Sequence, residues 1–394
     1  MTQFHSNVNA ASEDFQRNRR DMLESIDTLR EILDRAATLS DKALPKFQRR
    51  GQLLPRERLS RVLDPGMPFL EILNMAGFMV DDPNRDTAVP GCNTICGIGY
   101  ISGVRCMLMV DDSGINAGAM TALSAGKGIR AMEIAREKKL PFVHLVESAG
   151  ANLLEYKVEM WMEGCAIFAS LARLSAAGVP TFVVLHGPSA AGGAYMPGMS
   201  DYVIGVKGNG KAYLAGPALL KAATGEEADD EELGGAEMHS KISGLVEYLA
   251  EDDAHGLAIA RELMQTLDWN RLCPQLPPAE YEEPVYDIDE LAGIVPKDYR
   301  QPYDVREVVA RIVDRSDFLD FKPSYGPATV CMQAKVYGMP VGIIGNNGPI
   351  DNAGATKTAQ FIQLCDQSDI PLVFLQNITG YMVGTEVEQG GMIK

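Results

Sequence analysis

The sequence predicts an α/β protein built from two related domains, and three observations lead there. From about Gly97 onward, β-type apolar runs of five to seven residues alternate with helical patterns. Between Asn270 and Pro296 the chain carries Pro274, Pro277, Pro278, Pro284 and Pro296 with few apolar runs, the composition of a domain boundary. The pattern before this break then recurs after it. Ser102-Gly103-Val104-Arg105-Cys106-Met107-Leu108-Met109 matches Tyr337-Gly338-Met339-Pro340-Val341-Gly342-Ile343-Ile344, and Leu140-Pro141-Phe142-Val143-His144-Leu145 matches Ile370-Pro371-Leu372-Val373-Phe374-Leu375. Gly103 and Gly338 are 235 positions apart, Pro141 and Pro371 are 230 apart, and an offset this constant argues for an internal duplication. The resulting division is an N-terminal domain over 1–270, a linker over 271–296 and a C-terminal domain over 297–394.

Taken in order, Met22, Ile26, Leu29 and Leu33 recur at helical spacing between charged residues, which predicts an amphipathic helix used for packing or assembly. Gly51-Gln52-Leu53-Leu54-Pro55-Arg56-Glu57-Arg58 leads into Leu59, Val62 and Leu63, and Asp64-Pro65-Gly66 is a turn signal that ends the element. Gly97 to Asp111 reads as a hairpin. A helix near Lys127 to Lys138, a strand Phe142 to Val146, a helix Val158 to Ser175 and a strand Thr181 to Leu185 follow. The second strand of each copy runs into a glycine turn, Ser148-Ala149-Gly150-Ala151 and Ile378-Thr379-Gly380-Tyr381, again 230 apart. The first copy extends to about Asp268, whereas the second starts near Lys335 and reaches Lys394, so the counterpart of Glu155 to Asp268 is missing. The second domain therefore reads as truncated.

Composition sets bounds on function. The 394 residues are 46% apolar, enough for real cores, and the net charge of −17 leaves no global basic field for nucleic acid or an anionic membrane. No apolar run approaches the roughly 18 residues that span a bilayer, and the N-terminus lacks the features of a signal peptide, so a cytoplasmic protein is expected. The seven cysteines are dispersed and read as reduced, packed thiols; Cys92, Cys96 and Cys106 have no fourth ligand nearby, and no metal is expected.

The most informative segment is Thr181 to Pro197, where a β run empties into Gly187-Pro188-Ser189-Ala190-Ala191-Gly192-Gly193-Ala194. A loop without bulky side chains lets a ligand oxygen approach backbone N–H groups. If Gly193 or Ala194 opens a helix, the unpaired N–H groups and the dipole favour an oxyanion. Small residues equally allow a helix to pack tightly on a strand, and both readings stand on these residues alone. The turn at Gly150, also at a strand end, adds weight to the ligand reading. Gly97 to Gly103 is one residue too long for a dinucleotide fingerprint, and Gly126-Lys127-Gly128 lacks the surroundings of a phosphate loop. Ala191 breaks the nucleophile-elbow pattern around Ser189. His186 is the one histidine near the glycine loop, and a lone histidine at a strand end also fits a structural role. The acidic run from Glu226 to Glu232 reads as a solvated helix start. The site thus offers backbone donors without an obvious side-chain base, which points to stabilisation of an enolate whose proton is taken by a substrate or cofactor.

These residues resemble a known family, the carboxyltransferase (beta) subunits of biotin-dependent acyl-CoA carboxylases, built from two tandem crotonase-like (ClpP/crotonase) domains. The resemblance rests on Gly51 to Arg58, Glu147 to Ala151, Ala191 to Pro197, Leu214-Ala215-Gly216-Pro217, Lys221 to Glu226, Leu233 to Ala236, Phe361 to Asp366 and Asn377 to Gly384. The Asn-Ile-Thr-Gly and Lys-Ala-Ala-Thr-Gly-Glu forms resemble the branch acting on geranyl-CoA and 3-methylcrotonyl-CoA. The resemblance implies that a partner (alpha) subunit with biotin carboxylase and biotin carrier functions delivers carboxybiotin. After loss of CO2 the biotin itself takes the substrate's γ-proton, and the dienolate attacks CO2. The N–H groups of Gly192 and Gly193 would hold the thioester oxyanion, with Gly150, Ala151, Gly164, Ala191 and Ala194 lining the acyl-CoA site and Gly380 and Tyr381 the biotin side. A matching pair for the second oxyanion would lie beyond Lys394. A homo-oligomer of beta subunits is implied, its active site formed between the N-domain of one subunit and the C-domain of another.

Substrate size is read at one position. Where 3-methylcrotonyl enzymes resemble one another in a phenylalanine that closes the acyl pocket, this chain has Gly164, which leaves room for a ten-carbon geranyl chain. Gly164 also fits plain helix packing. A crotonase-type hydratase or isomerase would need a carboxylate beside the oxyanion loop, and Glu147 is the nearby candidate; a decarboxylase sharing the fold would need a membrane partner.

Overall fold

In a computed structural model, residues 2–80, 82–151, 158–273, 280–378 and 380–393 are described. The chain divides into two compact units, Arg30–Gln275 and Met1–Leu29 together with Leu276–Lys394. Strand β1 (Thr2–Gln3) opens the chain, followed by helix α1 (Glu13–Asp41), longer at both ends than the Met22 to Leu33 periodicity.

The Arg30–Gln275 unit contains helix α2 (Pro55–Val62), strands β2 (Leu70–Ile72), β3 (Thr94–Ile101) and β4 (Val104–Asp111), helix α3 (Ala122–Lys138), β5 (Phe142–Ser148), α4 (Val158–Ala176), β6 (Thr181–Ala190), β7 (Tyr202–Val206), β8 (Lys211–Tyr213), β9 (Tyr248–Ala250) and α5 (Asp253–Thr266). The sheet runs β2-β3-β4-β5-β6-β7-β9, with β8 beside the end of β6. The hairpin pairs are antiparallel, and every pair from β4 onward is parallel. A parallel sheet is covered on both faces, so its strands read as continuous apolar runs. Alternate residues of β4 accordingly enter different cores, Met107 and Met109 on one face, Cys106, Leu108 and Val110 on the other. The hairpin turn is held by Asp64, which accepts from Ser102 N (2.8 Å) and Gly103 N (2.6 Å).

The other unit carries β10 (Asp317–Phe321), β11 (Thr329–Val336), β12 (Met339–Asn346), helix α6 (Asn352–Gln367) and β13 (Leu372–Leu375). Its sheet order is β1-β10-β11-β12-β13, with β12 and β13 parallel. Residues 2–29 group here, in contrast to the linear division at 1–270. Thr2 and Gln3 pair with Phe318 and Asp317, and Glu307 accepts from Ser6 Oγ (2.6 Å) and Asn7 N (2.8 Å). An N-terminal segment can add an edge strand to a sheet distant in sequence, which linear pattern reading does not reveal. Of the prolines that marked the linker, Pro274, Pro277 and Pro278 lie outside the described residues.

Details of one unit recur in the other, most of them at the spacing seen in the sequence. Asp314 accepts from Tyr337 N (2.9 Å) and Gly338 N (2.7 Å), as Asp64 does from Ser102 and Gly103. Lys127 donates to Thr94 O (2.6 Å) and Lys357 to Thr329 O (2.8 Å), each from inside a helix to the first residue of a hairpin strand. Met120 bridges Ala151, and Ile350 bridges Tyr381. Thr121 caps α3 and Asp351 caps α6. Among the described residues no helix is long and apolar enough to cross a membrane.

Candidate active site

Strand β6 continues past Leu185, where the apolar run stops, to Ala190, and a short helical turn then covers Ala191–Ala194 and passes into Tyr195–Gly198. The helix therefore opens at Ala191, earlier than Gly193 or Ala194. The first N–H groups of a helix have no partner within it, which makes the opening of this turn, at Ala191 and Gly192, a candidate donor face for a ligand oxygen. Small residues are required here on steric grounds. A methyl group on Gly193 would lie 3.0 Å from Ser189 Oγ and 3.6 Å from Ser148 Cβ. Ala191 takes a left-handed φ of +52°, a strained state that a non-glycine residue adopts when its surroundings impose it.

The turn after β5 packs directly against this loop. Gly150 has φ +81°, and a methyl group there would meet Ala190 O at 2.8 Å, so both conformation and space demand glycine. Met120 N donates to Gly150 O (2.8 Å), and Ser148 Oγ donates to Gly118 O (3.1 Å).

Between these loops and α4 lies an almost wholly apolar cavity lined by Met120, Thr121, Ala125, Ala151, Gly164, Cys165, Ile167, Phe168, Gly192, Gly193 and Met196. Of the residues singled out from the sequence, Ala151, Gly164, Gly192 and Gly193 line it. Gly150 is buried behind the turn, Ala191 is exposed, and Ala194 packs against the core. A methyl group on Gly164 would meet nothing within 4 Å, whereas one on Gly192 would touch the Phe168 ring at 3.7 Å. Phe168 in turn packs on Tyr195, ring centroids 5.0 Å apart. Ile167 and Phe168 were legible as the i+3 and i+4 neighbours of Gly164 on one helix face. Met120, Thr121, Ala125 and Met196 carried no such signal, because long-range packing brings them in. Cys165 is the one titratable side chain among the described lining residues.

The two acid–base candidates lie elsewhere, in a buried polar cluster. Glu147 accepts from Arg58 Nη1 through Oε2 (2.9 Å), and Arg58 Nε donates to Asp253 Oδ2 (2.9 Å). His186 Nδ1 bonds Asp253 Oδ1 (2.8 Å), Gln52 Nε2 donates to His186 O (2.7 Å), and Leu53 N donates to Asp253 Oδ2 (2.9 Å). Burial, aided by the nearby Arg58 charge, pushes His186 below its ordinary value, so it stays neutral. Burial alone would raise Asp253, but the His186 hydrogen bond and the Arg58 charge hold its carboxyl at about 2. Neither Glu147 nor His186 lines the cavity. The acidic run near Glu226 forms a helix start capped by Asp229, and Lys211 pairs with Asp230 (2.6 Å) and Glu231 (3.1 Å).

In the other unit, Gly380 has φ +141° and the Tyr381 side chain is exposed; Thr379 lies outside the described residues. A separate cavity of about 450 Å³ is lined there by Tyr299 to Tyr303, Asn346 to Pro349, Asn377 and Ile378. Asn377 Nδ2 donates to Tyr303 Oη (3.1 Å), and Arg300 is held by Asp298 through Nε and Nη2 (both 2.8 Å). No cluster able to hold a metal ion occurs among the described residues.

Comparison with known proteins identifies the family. A family model described as carboxyl transferase domain matches residues 46–394. The crystal structure of the P. aeruginosa geranyl-CoA carboxylase beta subunit is 50% identical with a TM-score of 0.92, covering 100% of this chain and 73% of that one. A probable biotin-dependent acyl-coenzyme A carboxylase beta2 subunit of Mycobacterium tuberculosis is 46% identical over 90% of this chain. A probable mitochondrial methylcrotonoyl-CoA carboxylase beta chain of Drosophila melanogaster is 42% identical over 99% of it. The chain spans 65% and 70% of the length of these two relatives. A match across nearly the whole sequence, on an α/β fold with the glycine turns in place, makes this chain a member of the carboxyl transferase domain family, related to the beta subunits of biotin-dependent acyl-CoA carboxylases.

Proposed function

We propose that the chain carries the acyl-CoA side of a carboxyltransferase that transfers a carboxyl group to the γ-carbon of an α,β-unsaturated branched acyl-CoA, with geranyl-CoA as the natural substrate. The observation that carries this reading is the pairing of backbone donors with an apolar cavity that has no carboxylate or histidine among its described lining residues. The N–H groups of Gly192 and Gly193 stabilise the thioester oxyanion of a dienolate, where one such donor is worth roughly 10²- to 10³-fold in rate. Ala151, Gly164 and Phe168 enclose the acyl chain, and Gly150 fixes the turn against Ala190. With Glu147 engaged by Arg58 and His186 neutral and enclosed, neither serves as the base that a hydratase or isomerase would need.

Carboxybiotin on a biotin-bearing alpha subunit would supply both the carboxyl group and, once that group is released, the base. The second unit suits this partner: its cavity offers Asn346, Asn347, Asn377 and Tyr303, uncharged hydrogen-bonding groups matched to a neutral ureido ring, and its one arginine is already neutralised by Asp298. Gly380 and Tyr381 belong to this biotin side. The recurrence of the hairpin, buried lysine, helix cap and turn supports reading the two units as tandem crotonase-like domains, and homo-oligomer formation belongs to the same proposal.

A second substrate has an observation in its favour, the 42% identity to the Drosophila methylcrotonoyl-CoA carboxylase beta chain. Incorporation of labelled bicarbonate into geranyl-CoA and 3-methylcrotonyl-CoA, by the full-length protein with its biotinylated partner, separates the two. Faster incorporation into geranyl-CoA supports the proposal. Preference for 3-methylcrotonyl-CoA replaces the substrate, and incorporation into neither overturns the reading.

A further inference from the structure

The cluster around Arg58 has polar atoms that the protein leaves unbonded. Gln52 Oε1, Arg58 Nη2, Glu147 Oε1 and His186 Nε2 are all buried without a hydrogen-bond partner among the described residues, and each belongs to a side chain already tied to the others. Glu147 Oε1 has only Arg50 Nη1 at 3.5 Å. Stranding one such group costs more than a hydrogen bond returns, and four on side chains tied to one another are the pattern of an enclosure completed by a polar guest. The set also has the right sense. Because His186 Nδ1 faces a carboxylate it carries the ring proton, which leaves Nε2 as an acceptor. By type the four are one donor, Arg58 Nη2, and three acceptors, and a water that accepts once and donates twice satisfies the donor and two of the acceptors.

This enclosure lies where the sheet is irregular. Val146 pairs with Leu185 and Ser148 with Ser189, so the single residue Glu147 faces His186, Gly187 and Pro188. Such a bulge re-aims the strand beyond it. A methyl group on Gly187 would run into the Glu147 carboxylate, with Cδ at 2.6 Å, and His186 O is the atom held by Gln52. The segment beginning Gly51-Gln52-Leu53 thus reaches across to the bulge from which both Ser148 and Ser189 depart.

We propose that this enclosure binds an ordered water hydrogen-bonded to Arg58 Nη2, Glu147 Oε1 and His186 Nε2 or Gln52 Oε1, and that the completed network positions the Gly192–Gly193 turn. Arg58 and Glu147 are then positioning residues, acting on the reacting atoms through the β6 bulge. The inference builds on the proposed role of that turn, so its test includes a readout that needs no carboxylation.

Hydrogen exchange of peptides covering 186–196 is compared in the full-length wild type, Gln52→Ala, Glu147→Gln and, as a control on the exposed face of α2, the helix that carries Arg58, Arg61→Ala. In Gln52→Ala and Glu147→Gln the turn exchanges about tenfold faster while β4 keeps its protection. In the holoenzyme kcat falls about 10- to 100-fold with KM for the acyl-CoA within about threefold, a split that general destabilisation would not produce. A high-resolution crystal structure shows one water within hydrogen-bond distance of Arg58 Nη2. Unchanged exchange of the turn in both variants, or an equal rise in β4, overturns the positioning role. A dry enclosure at high resolution overturns the water. Should Glu147→Gln fail to fold, Gln52→Ala, which keeps both ion pairs, carries the same decision. If no acyl-CoA is carboxylated at all, the exchange and crystallographic results still decide this inference on their own.

Discussion

Replacing Gly164 by phenylalanine tests the substrate reading at its most exposed point. Position 164 lies on α4 at the cavity wall, and a methyl group there would meet no atom within 4 Å, so the added ring enters open space. Glycine inside a helix costs roughly 0.5–1 kcal/mol relative to alanine, so Gly164→Phe leaves stability unchanged or slightly raised. A geranyl chain has five more carbons than a 3-methylcrotonyl group. At about 0.8 kcal/mol per buried methylene, expelling them costs up to about 4 kcal/mol, or roughly 10³-fold in kcat/KM. The expected result is a fall of roughly 10²- to 10³-fold in kcat/KM for geranyl-CoA, with 3-methylcrotonyl-CoA within about threefold of wild type. The assay is bicarbonate incorporation by the assembled enzyme, with a melting curve as the check on folding. A geranyl to 3-methylcrotonyl ratio that stays at its wild-type value in a well-folded Gly164→Phe protein would refute the claim that this wall sets chain length.

Three further outcomes are expected. Gly193→Ala, whose methyl group would press on Ser189 Oγ at 3.0 Å, shifts the turn and lowers kcat by about 10- to 100-fold, whereas Gly192→Ala meets only Phe168 at 3.7 Å and loses less; steady-state kinetics with the larger loss at Gly192 would contradict this geometry. In pH-dependent unfolding, both members of the His186–Asp253 pair have native pKa values below their unfolded ones, so the unfolded chain binds more protons and stability falls with acidification. The His186 contribution is lost as pH drops below about 6.5, and that of Asp253, about 2 kcal/mol, as pH falls from about 4 towards 2; His186→Gln abolishes the upper leg and Asp253→Asn the lower, and unaltered legs in these variants would count against the assignment. Phe361, fully buried among Cys331, Ile344 and Cys365, is the centre of a small core, and Phe361→Ala costs about 3–5 kcal/mol by denaturant titration of the Leu276–Lys394 unit's signal; a loss below about 1 kcal/mol would show that core to be loosely packed.

Much of this protein follows from local pattern. The continuous apolar run through Met107, Leu108 and Met109, the helical spacing of α3 and α4, and the glycines of the two turns depend on steric and burial rules that act over a few residues, and the 230 to 235 offset exposes the repeat without any structure. Gly150 and Gly193 were identifiable as places where only a small residue is tolerated. What could not be read was the company they keep. Met120, Thr121 and Met196 reach the cavity through contacts between distant segments, and the first strand joins a sheet more than three hundred residues away in sequence. The fate of Glu147 and His186 was likewise undetermined, since a carboxylate and an imidazole near a glycine loop look the same in sequence whether they face a ligand or an arginine. Only the tertiary fold brings Arg58 and Asp253 to them, and burial with a fixed partner turns two apparent catalytic groups into members of a closed polar cluster.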